Sequence, residues 1–525
     1  MNRRAIIIGI VCCAFAATLY AEDSVPVIEV QDEPIIEVKA DRTMVYPQRM
    51  ALTGEETLLD MLQMMPDLMI SGYEDLISSY NLRIDNVPIN GDVRLVLNQM
   101  KAKDIAKLQV CTNTGVAKGT IGRGGVLDIT MAMPDTVSGM AEGQGGFGNL
   151  FEGSGTVNVL YGSTHTDVYA NASYRYLDEH REYVTLHMTN RFDARNKLLT
   201  YFTQQYVGTP DASAQKIMGR ARYFHTFNDA GTELMVLGGY QYATDPIATS
   251  QLPMFVLELN TPLPLKGLTM MAGVEGDYSM NKQKTEDRSW DIFNHDLYLQ
   301  FTYSPPKWRF TAGHRVMLYN YHMVDSGLVR NYLDVRNNTN ACVIYVPGSR
   351  HQIQLGYYRK YYNPALDWDD PIRLQDEQDI NQLKLAYAYS TQKVTVQPEA
   401  SFYIVEDEEM YGEIGASAYW KTKWVTLTGG ANLYVAKSKV YATLRVAPTV
   451  HLPRHWQVGL QLVYFTRQSP IREAYGTPIY GCVSINRQVV NYLNVGVEWH
   501  DMFDSFCSGT TMNRHAATVK VQCRF

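Results

Sequence analysis

The feature that most constrains this chain is a period-two alternation that begins near Asp135 and runs through most of the remaining sequence. In 168–176, Val168, Ala170, Ala172, Tyr174 and Tyr176 fall on one face, with Tyr169, Asn171, Ser173 and Arg175 on the other. Val394, Val396, Ala400 and Phe402 alternate in the same way with Thr395, Gln397, Glu399 and Ser401. Leu493, Val495, Val497 and Trp499 alternate with Asn494, Gly496, Glu498 and His500. Successive side chains of an extended chain point to opposite sides, so each segment is a strand with one apolar and one polar face.

A soluble sandwich also alternates, but three features favour a membrane barrel. The strands exceed the 5–6 residues usual in soluble sheets. Tight polar turns at 193–196, 304–307 and 390–393 take turns with more variable connections at 362–378, 466–477 and 501–514, which is the outer-membrane pattern of short turns on one side. Trp308, Trp424 and Trp456 each come just after a short turn, where an aromatic girdle belongs. Segmentation by turns predicts about 22 antiparallel strands over 135–525, with about 18 residues for each strand and its turn against the ~10 that a tilted crossing needs. A barrel this wide is not filled by its own side chains. The final strand carries Val519 and Val521 on its apolar face and ends on Phe525, an ending that resembles the C-terminal signal read by barrel-insertion machinery.

Composition agrees. The mean hydropathy of −0.23 is too polar for a helical membrane protein. Yet the chain holds 36 tyrosines, whose rings suit a membrane–water boundary. A net charge of −7 excludes a broad nucleic-acid-binding surface. The basic Asn2-Arg3-Arg4, the apolar 5–17 and the small Ala21 before Glu22-Asp23 read as a signal peptide over 1–21. Val11 before Cys12 argues against lipidation. No later segment holds 18 consecutive apolar residues, so any crossing is made by strands. Cysteines 111, 342, 482, 507 and 523 have neither disulfide-framework nor zinc spacing.

The first part has a different texture. Residues 22–39 are a polar segment without strong period, and 40–134 read as a small α+β domain. Thr57–Met65 has helical spacing and ends at Pro66; Leu82–Ile89 is a strand into a turn at Asp85-Asn86. Lys103–Val110 leads into a further strand, and Gly122, Gly124 and Gly125 make a tight turn before another.

The order "LLDMLQMMPDLMIS", "LRIDNVPIN", "MKAKDIAKLQV", "GRGGVLDITM" resembles the plug of TonB-dependent outer-membrane receptors over residues 35–133. "EVKADRTMVY" is similar to the Bacteroidetes branch of that family. The resemblance implies a mostly β protein: a 22-stranded antiparallel transmembrane barrel with the plug in its lumen, located in the outer membrane. It implies uptake of a substrate driven by TonB, which pairs as a strand with a short N-terminal box. Pro26-Val27-Ile28-Glu29-Val30 is the candidate box, with a plain linker as the alternative. Pro66-Asp67 stands where the family has Pro-Gly, Asp85-Asn86 replaces Asp-Gly, and most connections are tight where the family's outer loops are long. Those departures support a second reading: a receptor-like barrel serving as a scaffold for a surface lipoprotein or other envelope proteins.

Other chemistry is weaker. The glycines at 119–125 lack the Lys-Ser/Thr of a phosphate loop. Met61, Met64, Met65 and Met69 at helical spacing read as core rather than a copper site. Asp367, Asp369 and Asp370, and the acidic 406–409, are either a calcium site or a solvated rim bridged by divalent ions to lipopolysaccharide. No nucleophile elbow, zinc-protease motif or paired catalytic constellation occurs, so neither an enzyme nor a cofactor is expected.

Overall fold

The structure, a computed structural model, describes residues 36–38, 43–49, 58, 61–62, 80–84, 87–88, 102, 105–111, 125–131 and 137–524, the last stretch interrupted at 149–151, 164, 177–179, 209–211, 285–287, 326, 349, 363–377, 392, 406–409, 469–478, 491–492 and 500–514. Two sheets make up one compact unit, residues 34–525.

The smaller sheet has strands β1 (Ile36–Val38), β2 (Thr43–Val45), β3 (Tyr80–Ile84), β4 (Val87–Pro88), β5 (Ile105–Cys111) and β6 (Gly125–Met131), in the order β1-β2-β5-β6-β3-β4. All pairings are antiparallel except β3 with β6. Leu58, Met61 and Leu62 are helical and fully buried. Their i, i+3, i+4 spacing places them on one stripe. Leu82, Leu108, Val110, Leu127 and Ile129 supply the buried side chains of the sheet. The domain is therefore α+β, with Met61 in its core rather than displayed.

The larger sheet runs from β7 (Ser138–Gly148) to β28 (His515–Arg524) and closes on itself as a barrel of 22 strands. Closure is an antiparallel pairing of β28 with β7, in which Val519 faces Gly145 and Val521 faces Gly143. The wall is inverted relative to a soluble protein. On β10 (His180–Arg191), Val184 and Leu186 are 42% and 44% exposed, whereas Thr185 and His187 are 2% exposed. Across the barrel, Asn171, Gln241, Asn281 and Asn338 are buried while Leu257, Leu297, Leu355 and Ile414 are exposed. Water would penalise that outward apolar surface at about 25 cal/mol per Å²; hydrocarbon does not, so this is a transmembrane wall.

The tight turns gather at the rim where β7 begins and β28 ends, and their sequences explain them. Asp193 Oδ1 accepts the backbone N–H groups of Arg195 (2.7 Å) and Asn196 (2.8 Å). Ser163, Thr391 and Thr422 hydroxyls accept the N–H groups of Thr166 (2.9 Å), Val394 (3.0 Å) and Val425 (3.0 Å). These are Asx and Ser/Thr turns, in which a short side chain replaces a backbone partner. Trp308, Trp424 and Trp456 line the outer face at this rim; Trp308 meets Tyr345 (4.6 Å) and Phe310 (5.8 Å), and Lys423 and Arg487 sit over the other two indoles. Residues 363–377, 469–478 and 500–514 join strands at the opposite rim.

One element departs from the expected uniform crossings. β17 (Trp308–Asp325) and β18 (Leu328–Gly348) have 18 and 21 residues. They remain paired up to Asp325 and Leu328, joined by two residues with Gly327 at φ 83°. Pairing of β18 with β19 (His351–Tyr362) begins only at Thr339. The hairpin therefore rises past its neighbour at the far rim. Turn-based segmentation cannot show this, because a two-residue link leaves no loop and the alternation continues through both strands.

Candidate functional site

The inner wall has two layers of chemistry, one charged and one aromatic. The charged layer spans β12 (Ser213–Thr226), β14 (Ala248–Pro262), β15 (Leu268–Gln283), β16 (Arg288–Tyr303) and β17. Arg315 is 1% exposed. Its Nε donates to Asp296 Oδ2 (2.6 Å), and a terminal nitrogen donates to Glu275 Oε2 (2.7 Å) and also to Asp296. Cross-strand register builds this cluster: Tyr298 stands opposite Arg315, and Asp296 opposite Glu275. The Tyr298 hydroxyl donates to Glu258 Oε2 (2.8 Å), and the guanidinium lies 5.3 Å from the Tyr298 ring. Gly273 is directly opposite Tyr298, and a side chain there would overlap the ring. Asn294 donates to Asp277 (3.1 Å) beside them.

Buried charges are costly unless paired, so such a cluster fixes geometry more than it adds stability. It also has a neighbour in the small sheet. Arg222, inward on β12, lies within electrostatic range of Asp128 and Arg83 as well as of Glu258 and Tyr298. Of these neighbours in the small sheet, Asp128, fully buried, attracts the Arg222 guanidinium and Arg83 repels it.

The aromatic layer lies nearer the far rim. Trp290, Ile292, Met317, Tyr319, Tyr321 and Tyr361 form a buried cluster on the inner face of β16–β19. Tyr332 stacks on Tyr321 (centroids 4.3 Å apart), and the Arg336 guanidinium sits 4.7 Å from the Tyr361 ring. Farther round the wall come β21 (Val394–Val405), β22 (Tyr411–Lys421), β23 (Val425–Ala436) and β24 (Val440–Leu452). On them Tyr403, Tyr411, Tyr434 and Tyr441 stack in series at 4.6, 4.8 and 4.5 Å. All four point inward by strand parity, since Gln397, Ser417, Thr428 and Arg445 on the same faces are buried. The mouth of the lumen is therefore lined with rings that have polar tips. Such a surface can hold a ligand by stacking and by hydrogen bonds at once.

Of the residues singled out in the sequence, some fall within described elements. Gly125 opens β6, and Val519 and Val521 lie on the outer face of β28 at 41% and 40% exposure. Pro26, Val27, Ile28, Glu29 and Val30, Pro66, Asp85, Asn86, Gly122, Gly124, Asp367, Asp369, Asp370 and Phe525 lie outside the described residues. Among the described residues no group of three or more His, Cys, Asp or Glu side chains is arranged to hold a metal ion. Sequence reasoning missed Arg315 and the tyrosine series. Parity marks each of these as inward, but only register tells which inward residues meet.

No family model and no curated protein sequence matches the chain. Solved structures do match it in fold. The siderophore receptor PirA from Pseudomonas aeruginosa superposes with a TM-score of 0.68 at 11% identity, over 93% of this chain and 100% of that one. The ferric-catecholate import receptor Fiu from E. coli K12, in its open form, gives 0.66 at 12% identity over 94% and 97%. The unliganded ferric citrate transporter FecA gives 0.66 at 12% over 94% and 98%. At such identities the likeness concerns the fold alone: this chain is a transmembrane β-barrel of outer-membrane type, with the plug-and-barrel architecture of those receptors.

Proposed function

We propose that the protein is a TonB-dependent outer-membrane receptor that takes up a substrate captured at the aromatic mouth. The observation that carries this reading is the small sheet beside the lumen wall, with buried Asp128 within electrostatic range of Arg222 on the inner face of β12. A porin has no use for a plug; a receptor needs one that can be pulled aside. The N-terminal segment around Pro26–Val30 is the handle for TonB, and "EVKADRTMVY" favours the Bacteroidetes branch. PirA is named as a siderophore receptor, Fiu as a ferric-catecholate import receptor and FecA as a ferric citrate transporter. Ferric chelates are accordingly the first cargo to test. Deleting 26–30 should abolish uptake while leaving the barrel in the membrane; unchanged uptake would overturn the proposal.

One observation favours a second reading, a scaffold for envelope proteins. Several far-rim connections are very short, such as 326–327 and 437–439, so substrate capture by long loops is replaced by a raised hairpin. A scaffold should copurify with partners in fixed ratio after gentle extraction, and isolated barrels would count against it.

A further inference from the structure

The outer face of the barrel is polar at several described places, such as His314 with Thr339 (2.9 Å) and Tyr357 with Asn381 (2.9 Å), and one of them lies at a defined height on β16 to β18. On β16, Leu297, Leu299 and Phe301 are outward and 55%, 41% and 38% exposed; farther toward the far rim the same face shows His295, set edge to face on Phe293 at 4.0 Å, then Phe293 and Asp291. On β17 the outward face passes from Val316 and Leu318 to Asn320 and His322. Twelve residues separate Trp308, at the turn-side girdle, from Asn320. At about 3.3 Å per residue and a tilt near 40° that is about 30 Å, against an apolar band about 25 Å tall. Asn320 and His322 therefore stand where hydrocarbon gives way to the head groups of the outer leaflet.

At that level the outer face opens into a groove of about 550 Å³. Phe293, 40% exposed, forms an apolar platform, set edge to face against Tyr278 at 5.8 Å. Around it the Tyr278 hydroxyl donates to Asp291 (3.1 Å), and His322 Nδ1 pairs with Asn331 Oδ1 (2.6 Å). The carboxylate keeps a second oxygen, the imidazole a second nitrogen, and Asn320 and Asn331 their amide groups for a ligand. No lysine or arginine lines the groove. A phosphate would meet a carboxylate there and no compensating cation. A hydroxyl-rich ring suits it: axial C–H groups lie on Phe293 while hydroxyls bond to a carboxylate, amides and an imidazole, all planar groups with fixed geometry.

We infer that this groove binds a neutral sugar ring in the saccharide part of an outer-leaflet glycolipid. Its place on the lipid-facing side, at the border of the apolar band, selects a membrane-borne sugar over a soluble one. The site is separate from the lumen and does not depend on transport. The test is native mass spectrometry of the full chain in detergent, titrated with lipopolysaccharide, with lipid A lacking core sugars, and with free core oligosaccharide. The expected result is saturable one-to-one binding of lipopolysaccharide, with the oligosaccharide competing for the same site. Phe293→Leu and Asp291→Asn should each weaken that complex by about tenfold, roughly what one stacking or charge-assisted contact provides. Both variants nearly keep side-chain volume, and heat-modifiable gel mobility confirms that they fold. Binding that is equal in wild type and variants, equal for lipid A without core sugars, or retained only for a phosphorylated ligand would overturn the inference. Preference for the free oligosaccharide over lipopolysaccharide would overturn the membrane-borne source.

Discussion

At the scale of single residues, Arg315 is the group on which most depends. It neutralises Asp296 and Glu275 in a wall position where water is largely excluded. Arg315→Met removes the cation and leaves two buried carboxylates, a change that costs about 3–5 kcal/mol for a broken buried ion pair. The temperature at which the barrel loses its compact gel mobility should fall, and Arg315→Lys should recover only part of the loss, because one ammonium cannot reproduce the two-pronged geometry. A variant that also replaces Asp296 and Glu275 by leucine should regain most of it; if it does not, charge is not the reason. Gly273 gives a steric counterpart. Gly273→Ala sets a methyl against the Tyr298 ring and should break its bond to Glu258. A loss of about 1–3 kcal/mol is expected, the usual cost of forcing a packed side chain off its site. Tyr298→Leu in the same chain should relieve it.

At the scale of elements, the turns are self-contained devices that the sequence displays openly. Asp193 is exposed, and its carboxyl is held below the ordinary aspartate range by the Asn196 side chain first and by the Arg195 N–H. A depressed carboxyl contributes stability that is present above the ordinary value of about 3.9 and lost as pH falls through the lower folded value. Amide exchange in 192–197 should therefore be faster in Asp193→Ala than in the wild type at pH 6. The difference should shrink as pH falls below the ordinary aspartate range and the wild-type carboxyl takes up its proton; a difference that stays constant throughout the acid titration would remove the carboxylate from the account. The same locality explains what could be read in advance. Val184 and Leu186 alternate with Thr185 and His187, and an Asp-X-X-Asn or Thr-X-X-Val turn comes next, so strand, facing and turn are all written within a dozen residues. The rise of β17 and β18 is not. Its height is set by where β19 stops pairing, at Thr339, and nothing in 328–338 encodes that. Nor could the layer around Arg315 be foreseen, since Glu258, Glu275, Asp296 and Arg315 come from four strands and meet only through register.

At the scale of the whole molecule, the decisive fact is closure, because an open sheet of this length would present an unpaired edge within the membrane, where each unpaired backbone group costs several kcal/mol. The even strand count lets β28 run antiparallel to β7, and the register of that seam must close the stagger accumulated around the wall. The charged layer is held by a different register, that of β14 to β17, so seam and lumen chemistry are specified separately. Nature supplies a probe for the seam. Cys523 on β28 is exposed and stands opposite Ala141 on β7. Directly opposed side chains have Cβ atoms about 4.5–5.5 Å apart, close to the span of a disulfide. The single substitution Ala141→Cys should therefore yield an intramolecular disulfide with Cys523 under mild oxidation. After heat unfolding, the cross-linked chain, closed into a loop of nearly four hundred residues, should migrate apart from its reduced form. Gly139→Cys and Gly143→Cys, two residues away along the same face, should leave Cys523 open to alkylation. Cross-linking from either of these in preference to position 141 would shift the seam by two residues, and with it the stagger on which the barrel closes.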